Sequence, residues 1–156
     1  MRRLAAVLAL IALAVPGRAA DVEFVRVWPH WRDADSFKRI SEYLGGPENT
    51  SGQIVCRTSP DSRSGYYFLV RVKHPFLELA GARFVLHVIS QFLPDPREYI
   101  FPVGVAAGEQ VFELGVTGSD WRGGQGAHPV AWQLELVASD GRTLAQARSF
   151  LWIKPD

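Results

Sequence analysis

Alternation of apolar and polar residues along most of the chain, turn residues between those runs, and one stretch with helical spacing predict an all-β protein of about eight strands and one short helix. The 156-residue sequence first has to be separated from its leader. Arg2 and Arg3 form a basic start, Leu4 to Val15 is an unbroken apolar run, and Pro16-Gly17 ends it. Gly17 and Ala19 then supply small residues three before and one before a cut, the pattern of a secretory signal peptide. Cleavage after Ala20 would put Arg18 where a small residue is needed, so residues 1–19 are expected to be removed. The twelve apolar residues are too few for a membrane anchor, which takes roughly 20.

Residues 20–156 are expected to form a single β-sandwich domain. Val22 to Trp28 is the first strand, with Val22, Phe24, Arg26 and Trp28 on one face and Glu23, Val25 and Val27 on the other. Asp33 to Leu44 is the expected helix, because Phe37, Ile40, Tyr43 and Leu44 recur at helical spacing. Asp33 or Asp35 can cap it and Gly45-Gly46-Pro47 stops it. A polar loop over 45–52 leads to strands expected at Gln53–Thr58 and Gly65–Lys73. Further strands follow at Arg83–Gln91 and, after a break at Pro94-Asp95-Pro96, at Glu98–Val105. Glu109–Thr117 and Val130–Ala138 come next, and an Asp140-Gly141 turn joins the latter to a last strand over 143–153.

Strands with one apolar face must bury it against a second layer. An immunoglobulin-like or fibronectin-like β-sandwich is therefore the expected architecture, with a small β-barrel as the alternative. The disulfide of antibody domains is absent, since Cys56 is the one cysteine. An exported chain without a disulfide suits a bacterial envelope better than an animal extracellular space. With Arg2, Arg3 and Arg18 gone, the 17 basic residues fall to 14 against 16 acidic ones, a net charge near −2. No basic excess remains to displace counterions from a nucleic acid. The expected location is secreted or periplasmic, with no membrane span after cleavage.

Motifs for metalloprotease, serine hydrolase, redox dithiol, dinucleotide or phosphate-loop chemistry are absent from the sequence, and Gly123-Gly124-Gln125-Gly126 lacks the Lys-Ser/Thr of a phosphate loop. Cys56 lies in an apolar strand, where cysteine behaves as a small hydrophobe. His30, His74, His87 and His128 have no metal-ligand spacing, and His87 reads as a hydrogen-bonded strand residue. No metal or cofactor is implied. Glu113 and Glu135 sit opposite apolar strand positions and are expected on solvated outer faces rather than across a cleft.

The candidate ligand-binding residues are Trp28, His30, Trp31 and Arg32, with Trp121 and Arg122 as a second group. Indole rings beside basic groups suit a sugar ring or a partner protein. The structural alternative has Trp28 and Trp31 sealing a strand–helix junction and Trp121 plugging a sheet end. The expected function is an exported, non-catalytic binding or interaction module whose partner is an envelope protein or a carbohydrate. A small secreted hydrolase and a structural subunit of an envelope assembly are the alternatives.

Overall fold

A computed structural model describes residues 22–75 and 78–152. The leader lies outside them. Eight strands are present: β1 (Glu23–Arg32), β2 (Ile54–Arg57), β3 (Gly65–His74), β4 (Leu79–Ser90), β5 (Leu93–Val105), β6 (Gly108–Thr117), β7 (Pro129–Val137) and β8 (Thr143–Arg148). They form two four-stranded sheets, ordered β1-β3-β6-β2 and β5-β4-β7-β8. The sheets stay separate, so the fold is sandwich-like and the closed-barrel alternative falls. Among the described residues no helix is long and apolar enough to cross a membrane.

The core lies between the sheets and follows from the period of two. Phe68, Val70 and Val72 of β3 and Phe112, Leu114 and Val116 of β6 face Phe84 and Leu86 of β4 and Leu134 and Leu136 of β7, all buried. The layers meet through rings: Phe84 packs on Phe112 at 5.0 Å and on Phe24 at 6.1 Å, and Phe68 packs on Trp132 at 5.5 Å.

Strand β1 departs from the simple alternation expected of it. Phe24 pairs with Val72 and Arg26 with the next residue, Arg71, so Val25 is an extra residue in a β-bulge. The bulge flips the faces. Phe24, Val27 and Trp31 turn inward, while Arg26, Trp28, His30 and Arg32 turn out, so Phe24 and Trp28 do not share a face as the sequence suggested.

The expected helix over 33–44 is also corrected. A 3-10 turn, Asp35–Phe37, and a short helix α1, Ile40–Tyr43, are separated by extended Lys38 and Arg39. Phe37 is buried at 6% exposure, whereas Ile40, Tyr43 and Leu44 are exposed. Continuing the helix through Lys38 would need helical backbone where the chain instead straightens after seating Phe37 on Tyr67, at 4.8 Å. The predicted break at Pro94-Asp95-Pro96 lies inside β5. That strand is at a sheet edge, where proline removes no ladder bond.

The direction of β2 shapes the outer surface. It pairs with β6 in parallel, and β1 and β6 both run antiparallel to β3, so β1 and β2 are parallel. Parallel strands of one sheet need a crossover over one of its faces. The second sheet occupies the inner face, so residues 33–53 pass over the outer one.

Candidate binding site

The crossover begins with a turn that Arg32 and Asp33 tie down. Asp33 Oδ1 accepts the Ser36 N–H at 2.7 Å. Arg32 donates through Nε to Ser36 Oγ at 3.1 Å and through Nη2 to the Ser36 carbonyl at 2.9 Å. Its remaining arm, Nη1, reaches Glu113 Oε1 at 2.7 Å. The same guanidinium lies 3.6 Å over the Phe37 ring, and Arg57 approaches that ring at 4.9 Å. Phe37 is therefore held among Tyr67 and two cations, contacts worth about 0.5–2 kcal/mol each when shielded from water.

The covered end is a closed polar network. Tyr67 hydroxyl donates to the Arg63 carbonyl at 2.7 Å and accepts from Arg57 Nε at 2.9 Å. Arg57 grips Glu48 with both terminal nitrogens, at 2.6 and 3.2 Å, and Arg63 pairs with Glu42 at 2.6 Å. The Arg57 hydrogen bonds hold the Glu48 carboxyl below its ordinary range, Arg63 does the same for Glu42, and burial pushes the Tyr67 hydroxyl up. The Tyr67 ring packs against Gly115, where a Cβ would collide with it. Only glycine leaves room for the ring there.

The crossover stops short of the bulged end of β1, and two cavities open along its border. One, of about 170 Å³, is lined by Trp28, His30, Gln53, Leu69 and Glu113. Trp28, Leu69, Glu113 and Val55 are direct neighbours across four strands, which places the first three side by side on the outer face. The second cavity, of about 270 Å³, is lined by Val25, Arg26, Trp28, Leu69 and Arg71. Trp28 borders both and is 52% exposed, with the Arg26 guanidinium 4.6 Å over its ring.

Glu113 is the unusual group. Expected on a solvated face, it is 3% exposed, because the crossover covers that part of the sheet. Arg32 satisfies Oε1, but Oε2 is buried without a hydrogen-bond partner in the protein. Buried polar atoms nearly always have partners, and one left without costs about 1–3 kcal/mol. His30 donates from Nδ1 to the Trp28 carbonyl at 3.1 Å, which leaves Nε2 as its second polar atom.

Of the residues singled out from sequence, Trp28 and His30 meet at the first cavity and Arg32 braces it from below. Trp31 points into the sandwich and packs against the core. Trp121 is buried at 7% exposure, stacked on Tyr66 at 4.8 Å with its N–H donated to the Gly124 carbonyl at 3.4 Å. It closes one end of the sandwich and leaves Arg122 exposed beside it, so no platform joins Trp121 to Trp28. Sequence reasoning missed Gln53 and Leu69 as lining residues and took Glu113 for a solvated one. The available signal was an acidic residue inside β6 between Phe112 and Leu114, but alternation alone does not say what covers the outer face.

Elsewhere, His74 is buried at 1% exposure with neither ring nitrogen hydrogen-bonded in the protein, and His87 Nδ1 is likewise buried without a partner. His87 shares a hydrogen bond with Glu98 across β4 and β5 at 3.0 Å, and His128 lies 3.4 Å from the Tyr66 hydroxyl. Cys56 turns toward the core, and burial pushes its thiol above the ordinary range, away from the reactive thiolate. Among the described residues no three His, Cys, Asp or Glu side chains come together as a metal site.

Two outcomes follow for stability. Arg32→Ala leaves the Glu113 carboxylate buried and unpaired, with an expected cost of about 3 kcal/mol or more. Adding Glu113→Gln to that variant should recover much of the loss; a double variant no more stable than Arg32→Ala in urea unfolding refutes the pairing. Glu48 is held below its ordinary value of 4.5, so its contribution is complete above that pH and is lost as pH falls through the lower folded value. The urea midpoint should therefore drop on the acid side of 4.5, and less steeply in Glu48→Gln; equal slopes would remove this assignment.

Comparison with protein-family models and with curated protein sequences finds no match, so the chemistry of this face is read from its own residues.

Proposed function

We propose that the protein is an exported, non-catalytic binding module of the cell envelope or extracellular space, and that it binds through the outer face of its first sheet at Trp28. The observation that carries this reading is an exposed indole beside a cavity also lined by Glu113, whose second carboxylate oxygen is buried without a partner in the protein. Small-molecule sites combine an apolar wall with a few convergent polar groups. Trp28 and Leu69 supply the wall here, and Glu113, Gln53 and His30 the polar groups.

The finer fold assignment, an immunoglobulin-type sandwich, draws support from strand order. With β1, β3, β4, β6, β7 and β8 taken as strands A, B, C, E, F and G, the sheets read A-B-E and C-F-G. Strand β5 then adds beside C, as an extra strand does in variable-type domains. Strand β2 is the departure: it occupies the place of strand D but comes before B in sequence and runs parallel to E.

Catalysis has less support. His30 and Glu113 line one cavity, as the hydrolase reading requires, yet each is already engaged, Glu113 by Arg32 and His30 by the Trp28 carbonyl. The second carboxylate considered, Glu135, bonds Gln146 on the other sheet. Partner-strand addition is also disfavoured. Of the long edge strands, β1 carries a bulge and Pro29, and β5 carries Pro94, Pro96 and Pro102.

Export is tested by fractionating the source cells and sequencing the N-terminus of the protein; the expected first residue is Ala20, and an intact cytoplasmic chain would sink this part. Binding is tested by following the Trp28 indole resonance while a mixed panel of sugars, amines and short peptides is added. Trp28→Ala should weaken binding at least about tenfold by calorimetry while its melting temperature stays nearly unchanged, because the side chain is half exposed. A panel that leaves the Trp28 resonance unmoved counts against the reading.

A further inference from the structure

We infer that the Trp28–Glu113 cavity takes a neutral, hydroxyl-bearing ring, so the ligand class is a carbohydrate; this rests on the binding-module reading above. The chemistry of Glu113 decides the class. Its charge is already matched by Arg32 at 2.7 Å, so what Oε2 lacks is a hydrogen-bond donor and not a counter-ion. A second cation at Oε2 would sit beside the Arg32 guanidinium and be repelled by it. A hydroxyl donates the missing bond and brings no charge.

The remaining walls agree. A sugar ring presents an apolar C–H face and a rim of hydroxyls. Trp28 and Leu69, adjacent across β1 and β3, offer an apolar surface of matching kind. Gln53 both donates and accepts, and His30 Nε2 adds a polar atom, so the rim hydroxyls meet groups able to serve either need. The cavity is small, about 170 Å³, below the roughly 300 Å³ at which drug-sized sites begin. It suits one ring of a longer chain. The Arg26 guanidinium lies 4.6 Å over the indole at the neighbouring cavity, and the His30 ring lies 5.9 Å from it at the first one.

The test uses the purified protein and three soluble neutral oligosaccharides as probes: oligomers of β-linked glucose, α-linked glucose and β-linked N-acetylglucosamine. Putrescine and a neutral tripeptide serve as competing classes. The Trp28 indole resonance is followed in each titration of the intact protein, and calorimetry measures the affinity of each variant. The expected result is saturable movement with at least one oligosaccharide, whose affinity falls about tenfold in Trp28→Ala and several-fold in Gln53→Ala. Gln53→Ala is the safeguard, because Gln53 is not a core residue and its loss should leave folding intact. Movement with putrescine or the tripeptide but with no sugar overturns the carbohydrate inference and leaves the binding module standing. Sugar binding that survives Trp28→Ala overturns the inference at this cavity. No movement with any probe overturns both.

Discussion

The outer surface of the first sheet is shaped by the parallel run of β2 against β6. A parallel neighbour cannot be reached by a hairpin, so the chain between β1 and β2 has to cross the sheet, and the only free face is the outer one. An ordinary sandwich leaves that face to water. Here it becomes a second, polar interior in which Tyr67, Glu113 and Thr117 are as buried as core residues. Polar groups on that face then need partners, which the Arg32, Arg57 and Arg63 pairings and the Thr117 bonds to Thr58 and Ser59 largely supply. The candidate site is the border of that cover, where a carboxylate is buried deeply enough to be costly and not far enough under to be fully satisfied.

The strands were legible because burial between two sheets imposes a period of two on β3, β6 and β7, and their sequences carry it without ambiguity. The bulge in β1 was not. Val25 and Val27 are both apolar, so an inserted residue leaves no mark in the pattern, yet it decides whether Trp28 faces the core or solvent. The helix failed for a different reason. Phe37, Ile40, Tyr43 and Leu44 have helical spacing, but the energy of seating one ring, Phe37, between Tyr67 and two guanidiniums outweighed the stripe. Tertiary contact overrides local propensity in so short a segment.

The site was half legible. Trp28, His30 and Arg32 were identified from their chemistry and lie together, one side of β1 carrying all three. Trp121 has the same chemistry and is structural, since its ring fills the sandwich end against Tyr66. Residue type alone does not separate the two cases; the face of the strand does. Gln53 and Leu69 escaped notice because neither is chemically distinctive, and the cavity brings them together only through the crossover and the β1–β3 register.

Stability alone gives little reason for Glu113. A buried ion pair usually contributes no more than well-packed apolar side chains of the same volume, and this one leaves an acceptor unmet besides. The rest of the covered face shows that the fold can do better: Glu48 has both oxygens bonded to Arg57, and the Tyr67 hydroxyl both donates and accepts. Local rules hold throughout that network and fail at one atom of Glu113, a residue that lines the cavity bordered by the exposed indole. Buried unpartnered atoms also occur on His74 and His87, outside that network; a failure within it is of the kind expected at functional positions. The proposed ligand would account for the unmet oxygen and the half-exposed Trp28 together.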